Sequence, residues 1–191
     1  MLGLATAAEP QQAAGAVQKI ALVLAREQRD RLPPLSLLDF PPDDDGVAGA
    51  KLAVNDNNTT GRFLKQEFNL DVVKSPSVAE LIAEVTKRVD AGTGFVIVDA
   101  SPAAVLALAD ALKGRDVLIV NAGSADDGLR EADCRANVVH TAPTRSMLAD
   151  GLAQYLVWKQ WRRWLLVRGT GTDDEAYAEA LRRAAKRFGA K

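Results

Sequence analysis

Cysteine is all but missing from this chain. Among its 191 residues only Cys134 carries a thiol, so no disulfide can form within it. That count neither favours nor excludes export. An excess of charge of one sign is missing too: 24 Lys and Arg face 25 Asp and Glu, for a formal net charge of −1. There is therefore no global basic field to draw the chain to nucleic acid or to an anionic membrane. No apolar run approaches the roughly 20 residues that cross a bilayer, so no membrane insertion is expected. The N-terminus also lacks a basic start, since Lys19 is the first cation. Residues 1–8 nevertheless read like the end of a signal-peptide apolar region, with Ala5, Thr6 and Ala7 as a small-residue cleavage pattern. A disordered Ala-rich tail over residues 1–16 is the plainer reading.

What is present is a regular alternation. Hydrophobic residues make up 48% of the chain, enough for one well-buried domain or a little more. Apolar strands are predicted at residues 17–24, 68–73, 95–98, 117–120, 137–140 and 164–167. Between them the spacing predicts helices at residues 45–57, 78–89, 102–113, 146–161 and 173–187. Ser75 or Ser77 and Ser101-Pro102 serve as helix starts, and Gly92, Gly114 and Gly189 as stops. Residues 26–45, with Pro33-Pro34 and Pro41-Pro42, are too proline-rich for a helix and form a long loop. The acidic triple Asp43, Asp44 and Asp45 is placed to favour the positive end of the first helix. Strand–helix alternation with continuous apolar strands means an α/β fold, a parallel sheet with helices on both faces and right-handed crossovers.

In such sheets ligands sit at the carboxyl ends of the strands. Here those ends are Asp99 to Ser101 and Asn121 to Asp127, each expected beside a helix N-terminus with N–H donors to offer. Asp99, Ser101, Asn121, Ser124 and Asp126 are the candidate ligand-binding residues. Asp99, Asp126 and Asp127 make the rim acidic, which suits a cationic solute or a metal complex.

Several runs carry a family resemblance. They are Gly49 to Leu64 with its Asp56-Asn57-Asn58-Thr59-Thr60-Gly61 core, Asn121 to Arg130, Asp133 to Val138, His140 to Asp150, Tyr155 to Lys159, and Trp161 to Trp164. Together they resemble the periplasmic binding proteins of the leucine/isoleucine/valine-binding type. Within that family they look like the ABC-transporter substrate-binding branch associated with pyrroloquinoline-quinone (PQQ) dependent alcohol oxidation. The resemblance implies a type I periplasmic-binding lobe. Residues 17–143 would be a first, Rossmann-like lobe, with Ala142, Pro143 and Thr144 as crossover. Residues 144–191 would start a second lobe, in a protein roughly twice this length. It further implies a periplasmic location, a small-molecule or metal-ion solute, an ABC permease as partner, and no catalysis and no cofactor. In amino-acid-binding relatives hydroxyls on the two rim loops hold the ligand; here Pro102, Ala103 and Ala125 stand near those positions, with Ser101 and Ser124 as substitutes. The acidic rim argues against a branched-chain amino acid and suits a cationic ligand, a metal complex or an alcohol-pathway metabolite.

Other patterns compete. Asp56, Asn58, Thr60, Gly61 and Glu67 match the spacing of an EF-hand calcium loop, but with two carboxylates and with Arg62 and Lys65 inside it. A helix C-terminus turning at Asn and Gly explains the same residues. Asn121-Ala122-Gly123 with Tyr155 and Lys159 imitates an NAD(P)-dependent short-chain oxidoreductase, yet no glycine-rich turn follows the first strand to seat a pyrophosphate. Cys134 and His140 offer a nucleophile pair only if they meet. Trp158, Trp161 and Trp164 among Lys159, Arg162, Arg163 and Arg168 are better explained by rings packed on the sheet than by base stacking.

Overall fold

A computed structural model describes residues 16–28, 42 and 44–191. The expected alanine-rich tail, apart from its last residue, and the proline-rich loop over residues 29–41, together with Asp43, lie outside the described residues.

Five strands form one wholly parallel sheet: β1 (Gln18–Glu27), β2 (Gln66–Ser75), β3 (Phe95–Asp99), β4 (Leu118–Asn121) and β5 (Val138–His140). Their spatial order is β2-β1-β3-β4-β5. Helices α1 (Val47–Leu64), α2 (Val78–Asp90) and α3 (Pro102–Ala111) are the crossovers. Up to residue 140 the alternation read from the sequence is thus the fold. Val96 and Val98 of β3, Ile119 of β4, Leu81 and Val85 of α2, and Val105, Leu108 and Leu112 at α3 close the main core. On β3 and β4 the core lies on one face: Val96, Val98 and Ile119 are buried, while the apolar residues at the alternate positions, Phe95 and Leu118, are exposed. Ser77 and Ser101 cap α2 and α3 by accepting from Glu80 and Ala104 N–H, with Pro102 opening α3.

Four expectations need correction. Helix α1 does not stop at the polar run but continues to Leu64. Asn57 and Thr59 return hydrogen bonds to the carbonyls of Ala53 and Asn55, one turn back, so their polar groups are satisfied inside the helix. Gly61 is no terminator either: a Cβ there would sit 2.6 Å from the Gln66 carbonyl oxygen, so the glycine permits close approach of α1 to β2. The helix ends at Lys65, which adopts the left-handed conformation at φ 55°. Asp56, Asn58 and Thr60 therefore lie on a helix, not in a calcium loop.

Second, α1 starts at Val47 rather than Asp45: its cap is Gly46, at φ 77°, and Asp44 and Asp45 lie in the turn just before it rather than in its first turn. Third, residues 164–167 form no strand, since no neighbouring strand pairs with them among the described residues. Trp164 N–H instead donates to the Lys191 carbonyl, and Lys191 N–H to that of Arg162. Fourth, the tryptophans do not pack on the sheet. Trp158 is 70% and Trp161 60% exposed, while Trp164 joins a separate small cluster. That cluster lies between α4 (Arg145–Trp158) and α5 (Thr172–Phe188), around Ala149, Ala153, Ala180 and Ala184.

Candidate functional site

Because all strands run the same way, their carboxyl ends share one edge, and three loops meet there. At the end of β1, Arg26 is register partner of Asp99 on β3, and its Nε lies 3.2 Å from the Asp99 carboxylate. Glu27 accepts the Ser101 backbone N–H at 2.6 Å. Gly46, at the start of α1, covers this pair: a Cβ there would be 3.3 Å from Arg26 Nη1 and 3.5 Å from an Asp99 oxygen. From β4, Gly123 approaches so closely that a Cβ would be 2.3 Å from Asp99 Oδ1. Asp99 and the β4 loop are therefore in direct van der Waals contact.

The β4 loop is organised from within. Asn121 is 1% exposed; its Oδ1 accepts the Ser124 N–H at 2.9 Å and its Nδ2 donates to the Ser124 carbonyl at 2.8 Å. The same Nδ2 reaches His140 Nδ1 at 3.1 Å. Ser124 Oγ accepts from Asp126 N–H, and Asp126 accepts from Gly128 N–H. Asp126 also meets Arg145 Nη1 at 2.9 Å, while Arg145 Nη2 reaches Asp173 on α5 at 2.6 Å. Asp127 accepts from Ser146 N–H at the start of α4, with Arg183 3.9 Å away. Burial alone would raise the Asp127 carboxyl. Donation by Thr144 and Ser146 and the charge of Arg183 outweigh it and hold the group below its ordinary range.

All five predicted residues thus sit on the one edge, at the ends of β3 and β4, but their side chains are used unequally. Asn121 and Ser124 brace their own loop. The acidic rim is not a free negative field: Asp99, Asp126 and Asp127 each have an arginine beside them. The expected helix N-termini are also largely committed. The first N–H groups at α3 go to Glu27 and Ser101 Oγ, and the β4 loop leads only into a one-turn 3-10 segment, Gly128–Arg130. Sequence reading missed Arg26, Glu27 and Arg145. Two charges closing an apolar strand were the available signal for the first pair; nothing local pointed to Arg145.

A groove of about 510 Å³ opens beside this rim, lined by Asp126, Asp127, Arg145, Glu179, Arg182 and Arg183. The oxidoreductase constellation does not assemble. Tyr155 lies about 15 Å along α4 from its start at the β4 loop. The Lys159 ammonium sits over the Trp158 and Tyr155 rings, 4.5 and 5.7 Å from their centroids. Cys134 is exposed, and His140 is engaged by Asn121.

Residues 42–191 match the family described as periplasmic binding protein. The chain belongs to that family. No curated protein matches it in sequence. Solved periplasmic binding proteins share its fold. A branched chain amino acid ABC transporter periplasmic ligand-binding protein from Burkholderia xenovorans LB400 superposes with a TM-score of 0.71 at 16% identity, over 90% of this chain and 44% of that one. An ABC transporter substrate-binding protein from Desulfitobacterium hafniense, in complex with Leu, gives 0.67 at 18%, over 91% and 48%. The leucine-, isoleucine-, valine-, threonine- and alanine-binding protein from Brucella ovis, in its closed conformation, gives 0.62 at 16%, over 91% and 45%. This periplasmic-binding chain therefore spans less than half the length of the solved relatives it matches. Among its described residues no helix is long and apolar enough to cross a membrane.

Proposed function

We propose that this chain serves as the solute-capturing component of an ABC importer in the periplasm, tied to a PQQ-dependent alcohol oxidation system. It would grip a small solute between two lobes, hand it to the permease and leave it chemically unchanged, with neither cofactor nor nucleic acid involved. The observation that carries this reading is the convergence of the β1, β3 and β4 loops at one sheet edge in a chain of this family. Residues 17–143 act as the first lobe and 144–191 as the opening of the second; the separate hydrophobic clusters around α2–α3 and α4–α5 support that division.

Asp99, Ser101, Asn121, Ser124 and Asp126 make up the first-lobe wall. Ser101, whose Oγ accepts from Ala104 N–H, keeps its hydroxyl proton to offer a solute, and Asp126 acts there together with Arg145; Asn121 and Ser124 fix the β4 loop that carries Asp126. The arginine beside each rim acid favours a solute with little net charge over the cation that the acids alone suggest. The link to alcohol oxidation rests on the resemblance of Gly49 to Leu64, Asn121 to Arg130 and Trp161 to Trp164.

The test is a thermal-shift and calorimetric screen of the whole chain. The panel holds branched-chain amino acids, short alcohols and their acids, PQQ, calcium and a lanthanide. Saturable stabilisation by one class, weakened by Ser101→Ala, is expected. Binding of NAD(P)H with turnover, or no response to any member, overturns the reading.

A further inference from the structure

The chain holds one histidine, and the fold places it against the most buried polar side chain at the candidate rim. The orientation of the Asn121 carboxamide is fixed by its neighbour. Oδ1 must be the oxygen, because it accepts the Ser124 N–H at 2.9 Å, and Nδ2 must be the donor, because it faces the Ser124 carbonyl at 2.8 Å. The group 3.1 Å from His140 Nδ1 is then an N–H, so that ring nitrogen carries a lone pair and the proton resides on Nε2.

We infer that His140 is an acid-sensitive pin on the β4 loop: its neutral ring holds Asn121 in place, and protonation at Nδ1 sets two donors against each other and loosens the Asn121–Ser124 turn. The consequence propagates along named bonds. Ser124 Oγ accepts from Asp126 N–H, and Asp126 pairs with Arg145 at the start of α4, so loosening Asn121 loosens the rim. The Asn121 carbonyl also accepts from Thr141 N–H and Oγ1, which ties the same turn to the chain leaving β5.

The surroundings disfavour the charged ring. From the 3-10 turn, Arg130 donates to the His140 carbonyl at 3.3 Å and to that of Ala142 at 2.9 Å, which brings its guanidinium near the imidazole. β4 contributes Asn121, which is uncharged, and the segment after β5 contributes Thr141 and Ala142. The loop carboxylates are engaged elsewhere: Asp126 with Gly128 and Arg145, and Asp127 with Ser146 and Arg183. Burial, then Arg130, push the His140 ring below its ordinary value of 6.5, with the Leu129 backbone opposing them.

The titration is read directly on the whole chain by NMR, since a single histidine gives one set of ring signals. No solute is needed, so the outcome is separate from that of the transport reading. The expected result has three parts: a pyridine-like Nδ1 at neutral pH, a ring midpoint below 6.5, and movement of the Asn121 side-chain and Ser124 amide signals with that midpoint. Protection of the Ser124 amide, corrected for intrinsic exchange, then drops about fivefold to tenfold through it, the worth of one hydrogen bond. His140→Phe, which has no acceptor, is expected to show the low protection at every pH. A proton on Nδ1 at neutral pH, or Asn121 and Ser124 signals indifferent to the ring midpoint, overturns the inference. The wild-type titration decides the matter even if the Phe variant fails to fold.

Discussion

The side chain of Asn58 pairs with the peptide group of Phe68 as a neighbouring strand would. Its Oδ1 accepts the Phe68 N–H at 2.7 Å and its Nδ2 donates to the Phe68 carbonyl at 2.9 Å. Because β2 is an edge strand bonded to β1 on one side, these two groups face the open side. One residue of α1 thereby fastens the helix to the sheet and occupies part of an edge that would otherwise template association. Asn58→Ala leaves both Phe68 groups to water and is expected to cost about 1–3 kcal/mol by urea denaturation. It should also raise the dimer fraction seen by sedimentation. Unchanged stability would mean that water replaces the carboxamide without loss.

That contact also shows what a sequence conceals. The order of strands and helices was legible because apolar periodicity is a local property, and every sheet strand predicted up to residue 140 is present. The full extent of α1 was not legible. Asn57, Asn58, Thr59 and Gly61 are all residues that end helices, and what keeps them helical is partly local back-bonding and partly β2, seen only in three dimensions. The edge that carries the candidate site was legible in the same way, from strand direction. The pairing of its charges was not, because Arg26 and Asp99, or Asp126 and Arg145, come together only through the register of the sheet and the packing of α4.

Glycine substitutions at two positions should act in opposite directions. At Gly123 a Cβ would lie 2.3 Å from Asp99 Oδ1 and 2.9 Å from its Cα, so backbone as well as carboxylate must move. Gly123→Ala is expected to destabilise by about 1–3 kcal/mol, the range for overpacking. At Gly49, an exposed position in α1, a Cβ would meet nothing within 4 Å among the described residues. Gly49→Ala is expected to stabilise by about 0.5–1 kcal/mol through helix propensity. Thermal melts of the pair check both signs.

Acid should selectively weaken the start of α4. Since the folded Asp127 carboxyl lies below its ordinary value of 3.8, the stability it contributes is present above that value and disappears as pH falls through the folded one. Asp127→Ala removes a helix-terminal acceptor and is expected to cost about 1–2 kcal/mol at pH 7. As pH falls from 3.8 through the lower folded value, the gap between wild type and variant should narrow, because the folded wild type loses the carboxylate that the variant already lacks. Urea denaturation at neutral and acid pH measures it, and a gap that persists at low pH would assign the loss to packing rather than to charge.

Leu165 and Val167, 90% and 84% exposed, flank the half-buried Trp164 cluster beside a groove of about 510 Å³ lined by Leu152, Leu156, Leu166 and Leu181. Two such side chains next to an apolar groove extend a continuous sticky surface, and their burial against anything, including another copy, is favourable by roughly 25 cal/mol per Å². Replacing them by Leu165→Glu and Val167→Lys removes that gain while touching no contact of the folded sheet. The double variant is therefore expected to keep the wild-type melting temperature while light scattering shows a higher concentration threshold for self-association. A fall in melting temperature would instead mean that these residues contribute to the fold through the α4–α5 cluster.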